Sequence, residues 1–366
     1  MQGKIKPAGA AFAGAQHTLS IRGLTVLRKD RGRSRHLVLE DVSLSAQPGE
    51  ITAILGAAGS GKTSLLAAIA GLLKAERGAV LVGGTDVTAM RAGRRGIGFL
   101  TPGEALEPAR SLEAGLAVLA PSRRNRGGAL TALEEFGLSP GLAAGAASHG
   151  QGFAALAAAR LLPDQPVLLV DEAGTGLDRH GLEVLCTVLR REAGGGRTVL
   201  IATRDPAIAL AADHLVLLRG GHVLQTGTPA SLYTEPRDEA AARLTGSANI
   251  LRGTLRQKLP GGFIWVAAGQ RFTQADGLGQ PAPALGNAVS LCLRPAHLRV
   301  WHPALPNRLP AQIVTLTCHG DRTALRCDTP LGPLDALCDT PSPLRPAMAI
   351  DLGWDGSAAS ILAPLE

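Results

Sequence analysis

A chain of 366 residues exceeds one typical domain, and 45% apolar against 18% charged residues is enough to fill two cores. No apolar run approaches the roughly 18 residues of a membrane-crossing helix, and 3% aromatic residues offer little stacking platform for nucleic acid. The formal charge of +7 lies at the start: residues 1–36 hold Lys4, Lys6, Arg22, Arg28, Lys29, Arg31, Arg33 and Arg35 against Asp30 alone.

Residues 1–18 read as an arm expected to be disordered. Its short Ala/Gly-rich stretch is too weakly apolar for a signal peptide. Leu19–Leu27 and Leu37–Leu44 read as strands around a basic, hairpin-like excursion, and Gln47-Pro48-Gly49-Glu50 as a turn. Ile51–Leu55 then forms a short apolar strand running into Gly56-Ala57-Ala58-Gly59-Ser60-Gly61-Lys62-Thr63, and Ser64–Ala70 continues as an apolar helix ended by Gly71. Strand, glycine loop and helix in this order make a phosphate loop. Gly56, Gly59 and Gly61 are expected to take positive φ and let the backbone approach a polyphosphate. Successive N–H groups and the helix N-terminus supply partial positive charge, with Ser60 and Ser64 beside them. Lys62 suits the β- and γ-phosphates, and the Thr63 hydroxyl suits Mg²⁺, which takes oxygen ligands.

Val80–Val82 and Ile97–Leu100 are further short strands, and residues from about 104 to 150 turn Ala/Leu-rich, as a helical insertion would. Val167-Leu168-Leu169-Val170-Asp171-Glu172 is an apolar run ending in two acids, the pattern of a strand buried on both faces whose C-terminal end reaches a site. Asp171 can hold Mg²⁺ through water and Glu172 can polarise the attacking water. The five cysteines, Cys186, Cys292, Cys318, Cys327 and Cys338, are odd in number and lack CxxC spacing, so they read as free thiols.

Residues 19–245 resemble the ATPase subunits of ABC transporters. Ala147-Ser148-His149-Gly150-Gln151 stands where that family carries Leu-Ser-Gly-Gly-Gln, Thr175-Gly176-Leu177-Asp178 resembles its D-loop, and Val199–Thr203 followed by Arg204 resembles the strand ending in its switch histidine. The resemblance implies an α/β P-loop NTPase domain that binds ATP and Mg²⁺ in a head-to-tail dimer, each ATP meeting Ser148, Gly150 and Gln151 of the opposite subunit. It also implies membrane permease subunits, an indirect partnership with a solute-binding protein, a peripheral place on the cytoplasmic face of the inner membrane, and no nucleic acid.

Several positions depart from the family pattern. His149 replaces a glycine and Ala147 a leucine. Thr101 or Pro102 stands at the Q-loop glutamine, and Arg204 at the switch histidine. Between Phe12 and Phe99 there is no aromatic to stack on adenine, which leaves Arg33 or His36. Glu172 is nevertheless the expected catalytic base.

Residues 246–366, with short alternating strands and Gly/Pro turns, suggest small β-barrels and resemble the OB-like, all-β TOBE domain of importer ATPases. The leading expectation is an energy-coupling ATPase of an importer, with the run Gly246–Leu251 pointing towards ferric iron. A nucleotide-binding subunit of low turnover and an ABC-type protein acting on nucleic acid are the alternatives.

Overall fold

The computed structural model describes residues 17–29, 35–101, 107, 110–119, 127, 130–131, 133–148, 151–152, 155–157, 165–276, 279–339 and 343–363. The chain forms two compact units, Met1–Pro229 and Ala230–Glu366.

In the first unit, β1 (Leu19–Lys29) and β2 (Arg35–Ala46) pair antiparallel from Leu19↔Ala46 to Lys29↔Arg35. They run further towards the basic hairpin than the apolar pattern indicates, because backbone pairing continues past the last buried side chain. β4 (Arg77–Val82) and β5 (Thr85–Asp86) complete this sheet in the order β2-β1-β4-β5. The second sheet contains β3 (Ile51–Leu55), β6 (Ile97–Leu100), β7 (Val167–Val170), β8 (Thr198–Thr203), β9 (His214–Arg219) and β10 (His222–Gly227). Its order is β10-β9-β3-β8-β7-β6, parallel except for the β9–β10 hairpin. Every residue of β3, β7 and β8 is buried, which is why these strands read as unbroken apolar runs.

Helix α1 (Lys62–Ala70) leaves the C-terminal end of β3 and packs Leu65, Leu66 and Ile69 into the core formed with Val26, Leu39 and Val80. Gly71, at φ 81°, ends it in a left-handed cap and donates to Ala68 O at 3.1 Å. Arg95 is 5% exposed and closes the same end: its guanidinium donates to Ala68 O, Ile69 O, Met90 O and Thr88 O. A cation at a helix C-terminus is favoured both by the dipole and by the unpaired carbonyls there. Among the described residues of the expected insertion are a helix, Leu112–Leu119, and a 3₁₀ turn, Ala144–Ala146.

The second unit holds two five-stranded antiparallel sheets. The first joins β11 (Asn249–Leu259), β12 (Gly262–Ala267), β13 (Gln270–Ala275), β14 (Ala288–Leu293) and β20 (Ala359–Ile361) in the order β13-β12-β11-β14-β20. The second joins β15 (Arg299–Val300), β16 (Asn307–His319), β17 (Arg322–Asp328), β18 (Leu334–Asp339) and β19 (Ala349–Trp354) in the order β15-β19-β16-β17-β18. Both sheets contribute to one core, in which Phe272 lies 4.7 Å from Trp265 and 5.2 Å from Trp354 between ring centroids. Burial pushes the Cys327 thiol up to about 11, so it stays protonated at neutral pH.

The sequence places the helical segment up to residue 245 with the first domain, whereas the structure groups residues from Ala230 onward with the β unit. The physical reason is Arg294. It is 3% exposed, stacks 4.1 Å above the Tyr233 ring, and donates to Tyr233 O, Ala242 O and Thr245 Oγ1. The two short helices Pro229–Thr234 and Glu239–Leu244 are thereby tied to the residue that follows β14.

Candidate functional site

The parallel register brings the ends of three buried strands together, with Leu55 beside Thr203 and Val170 beside Ile201. The segments that follow, 56–62, 171–178 and 204–206, therefore leave from the same edge of the sheet, the C-terminal edge where open α/β sheets bind ligands.

Gly59 and Gly61 take φ of 77° and 103°, as expected. Gly56 does not; it is required by crowding instead. A Cβ there would lie 2.4 Å from Leu218 O and 2.5 Å from Ser60 Oγ. Lys62 is 4% exposed, with Nζ 2.7 Å from Gly56 O, 2.9 Å from Ala57 O and 3.4 Å from Ser60 Oγ. Burial lowers its pKa, opposed by the charges of Glu172 and Asp171. Ser60 and Ser64 are buried in the loop and the first turn of α1. The Ser60 carbonyl accepts from Gly221 N at 3.0 Å, which fixes the loop against the β9–β10 turn.

Asp171 is 1% exposed, and burial raises its pKa against the opposing hydrogen bond from the Thr63 hydroxyl. Thr63 and Asp171 thus meet as an oxygen-only pair of the kind hard divalent cations take. Glu172 stands at φ 49°, an uncommon conformation for a residue with a Cβ. Its Oε2 accepts from Arg204 Nε at 3.0 Å and from Thr175 Oγ1 at 3.4 Å. The sequence reading aims Arg204 at a terminal phosphate and gives it no acidic partner. In the structure, which holds no nucleotide, Arg204 bridges to Glu172 across adjacent strand ends. Neither this bridge nor the Thr175 contact was read from the sequence; the Asp171–Asp178 spacing offered the one hint, by placing Thr175 one turn beyond Glu172.

Asp178 caps the helix Arg179–Gly194, its Oδ1 accepting from Gly181 N at 2.8 Å. Ser148 and Gln151 form a reciprocal capping box: Gln151 N donates to Ser148 Oγ at 3.2 Å, and Ser148 N donates to Gln151 Oε1 at 2.8 Å. His149, Gly150, Pro102 and Arg33 lie outside the described residues.

Lys62, Thr63, Ser64, Glu172 and Arg204 line one cavity of about 670 Å³, together with Ala58–Gly61, Gly220 and the β1–β2 residues Arg28, His36, Leu37 and Val38. His36, a sequence candidate for covering adenine, is on this wall. Arg28, its register partner, was not anticipated. The basic side chains of Arg28, Lys62 and Arg204, the backbone N–H groups of Ala58–Gly61, and an apolar strip from β2 match a phosphate chain attached to a flat base.

The ABC transporter family profile matches residues 39–175. The putative 2-aminoethylphosphonate import ATP-binding protein PhnT of Salmonella typhimurium is 32% identical over 307 residues, covering 80% of this chain and 82% of the relative. The Fe(3+) ions import ATP-binding protein FbpC of Streptomyces coelicolor is 30% identical over 354 residues, covering 94% and 97%. The sulfate/thiosulfate import ATP-binding protein CysA 2 of Chromobacterium violaceum is 33% identical over 304 residues, covering 79% of each. Among solved structures, an ATP-binding subunit of an ABC transporter aligns with a TM-score of 0.52 and 25% identity, covering 59% of this chain and 91% of that one. At these identities and over these shares of their lengths, the chain belongs to the ATP-binding subunits of importer-type ABC transporters.

Proposed function

We propose that this chain hydrolyses Mg²⁺–ATP in the cavity between the phosphate loop and Glu172, and that the cycle drives solute import through membrane permease subunits. The observation that carries the reading is the convergence of Lys62, Thr63, Asp171 and Glu172 at the C-terminal edge of one parallel sheet. Lys62 and the loop N–H groups hold the phosphates. Thr63 and Asp171 would hold Mg²⁺, and the ion would supply charge neutralisation to the phosphates. Glu172 orients water and accepts its proton. Ser148, Gly150 and Gln151 serve the ATP of a second copy in a homodimer, with Asp178 at the contact between copies.

No described helix is long and apolar enough to cross a membrane. A peripheral position on the cytoplasmic face of the inner membrane, with a solute-binding protein as indirect partner, follows from the importer reading. The named relatives serve 2-aminoethylphosphonate, ferric ions and sulfate or thiosulfate. Ferric iron is the solute we propose, on the match that spans 94% of the chain. Phosphate release by purified protein with and without Mg²⁺ tests the hydrolytic reading, and loss of it in Glu172→Gln is the expected result. Uptake of radiolabelled iron by cells lacking this chain tests the solute; unchanged iron uptake with lost phosphonate or sulfate uptake reassigns it.

A second reading, low intrinsic turnover, has one observation in its favour: Arg204 holds the Glu172 carboxylate at 3.0 Å. A steady-state rate for the isolated chain separates the two.

A further inference from the structure

Glu172 Oε2 has two donors, and they are held in different ways. Thr175 belongs to the same turn as Glu172, its N–H donating to Glu172 O at 3.0 Å, so its hydroxyl stays beside the carboxylate whatever enters the cavity. Arg204 reaches in on a long side chain that is 54% exposed, from the segment after β8. It lines the same cavity as the phosphate loop, and its charge already opposes that of the Lys62 ammonium. Glu172 itself is anchored: its N–H donates to Asp171 Oδ1 at 3.1 Å and its backbone is fixed at φ 49°. Of the partners in this bridge, Arg204 is the one that can leave.

A terminal phosphate offers more negative charge than one carboxylate and more oxygens for a guanidinium fork. It also neutralises the repulsion between Arg204 and Lys62. An exposed ion pair with one flexible member is weak competition.

We infer that Arg204 exchanges partners with the nucleotide state: it holds Glu172 while the cavity lacks a terminal phosphate, passes to that phosphate when a nucleoside triphosphate binds, and leaves the carboxylate on Thr175. This rests on the nucleotide-site reading above. Arg204 is then a positioning residue that withholds the base until there is a bond to hydrolyse, and it separates triphosphate from diphosphate. A diphosphate reaches Lys62 and the loop but gives Arg204 no reason to release Glu172.

The test is equilibrium binding to the full chain of fluorescent ADP and a fluorescent, non-hydrolysable ATP analogue. Arg204→Ala is expected to weaken the analogue about tenfold, the loss of one charge-assisted contact, and to leave ADP within about twofold. Glu172→Gln is expected to tighten the analogue about threefold, because a competitor for Arg204 has gone. In the Arg204→Ala background Glu172→Gln should change nothing. Unaltered ADP affinity shows that the variants are folded, and Arg204→Gln, close in length and uncharged, should repeat the pattern. Equal weakening of both nucleotides by Arg204→Ala, or tightening by Glu172→Gln that survives without Arg204, overturns the exchange. Lys62→Ala keeps the two ideas apart: if it leaves both nucleotides bound as before, the nucleotide site itself is misplaced.

Discussion

The Lys62 ammonium donates to the Gly56 carbonyl at 2.7 Å, so the loop's main cation is already satisfied by the loop's own backbone. A phosphate must offer more than two carbonyls to draw it out, and a doubly charged oxyanion does. Lys62→Ala is expected to cut ATP affinity about ten- to a hundredfold, the size of one or two charge-assisted contacts. Titration with a fluorescent ATP analogue measures it. Because Gly56 O and Ala57 O also lose their donor, the free protein should melt slightly lower.

Asp171 gives a pH-dependent prediction. Burial raises its pKa in the folded state, so the native protein binds this proton more tightly than the unfolded chain does. The associated stability is present below the unfolded carboxylate value, about 3.9, and is lost as pH rises through the raised native value. Asp171→Asn removes that penalty. The melting temperature of the variant, without Mg²⁺, should exceed that of wild type by about 2–4 °C near pH 8 for each kcal/mol relieved, and the gap should close towards pH 4. The same variant should show no additional stabilisation by Mg²⁺ with ATP. A gap that is constant with pH would mean that the folded protein binds this proton no more tightly than the unfolded chain does.

Glu172→Gln keeps the shape of the side chain and removes the proposed proton acceptor. Phosphate release should fall by at least about a hundredfold. In the presence of ATP the variant should elute as a dimer from a sizing column where wild type elutes as a mixture.

Replacing Arg204 by histidine tests what a guanidinium at the terminal phosphate costs, since it stabilises the ground state as well as the transition state. Histidine, when neutral, both accepts and donates, so it can serve the attacking water as an all-donor guanidinium cannot. Phosphate release by the isolated chain should rise at least about tenfold, a barrier change of about 1.4 kcal/mol. A wild-type rate that is ordinary and a variant that is no faster would remove Arg204 from the account of turnover.

Arg95→Met should be among the most damaging substitutions outside the cavity. It leaves the carbonyls of Ala68, Ile69, Met90 and Thr88 without their shared donor in a buried setting. An unsatisfied buried group costs about 1–3 kcal/mol, so a loss of at least about 3 kcal/mol in urea unfolding of the first unit is expected.

The sequence was most readable where one short segment carries its own physics. Ile51–Thr63 shows strand, glycine turn and helix start in consecutive residues, and Val167–Glu172 shows a buried strand ending in acids. What stayed hidden depends on distant segments. Gly56 looks like another positive-φ glycine until the carbonyl of Leu218 is placed 2.4 Å from where a Cβ would be. Arg204 and Glu172 meet because β7 and β8 are neighbours, which a linear reading treats as two separate motifs. Arg95 and Arg294 carry no local signal, since nothing in the neighbouring sequence distinguishes a solvated guanidinium from one that collects buried carbonyls.

Arg294 also determines where this polypeptide can be divided. A fragment beginning at residue 246 would discard Tyr233 O, Ala242 O and Thr245 Oγ1 and leave the Arg294 guanidinium with the carbonyls of Gly246 and Ser247. Started at residue 230, the same fragment retains its aromatic lid and its acceptors. Any gene fusion, domain transplant or shuffled chimera that respects the first helices as part of the β unit therefore keeps every acceptor of Arg294, and one that cuts sixteen residues later inherits a defect at the end of β14.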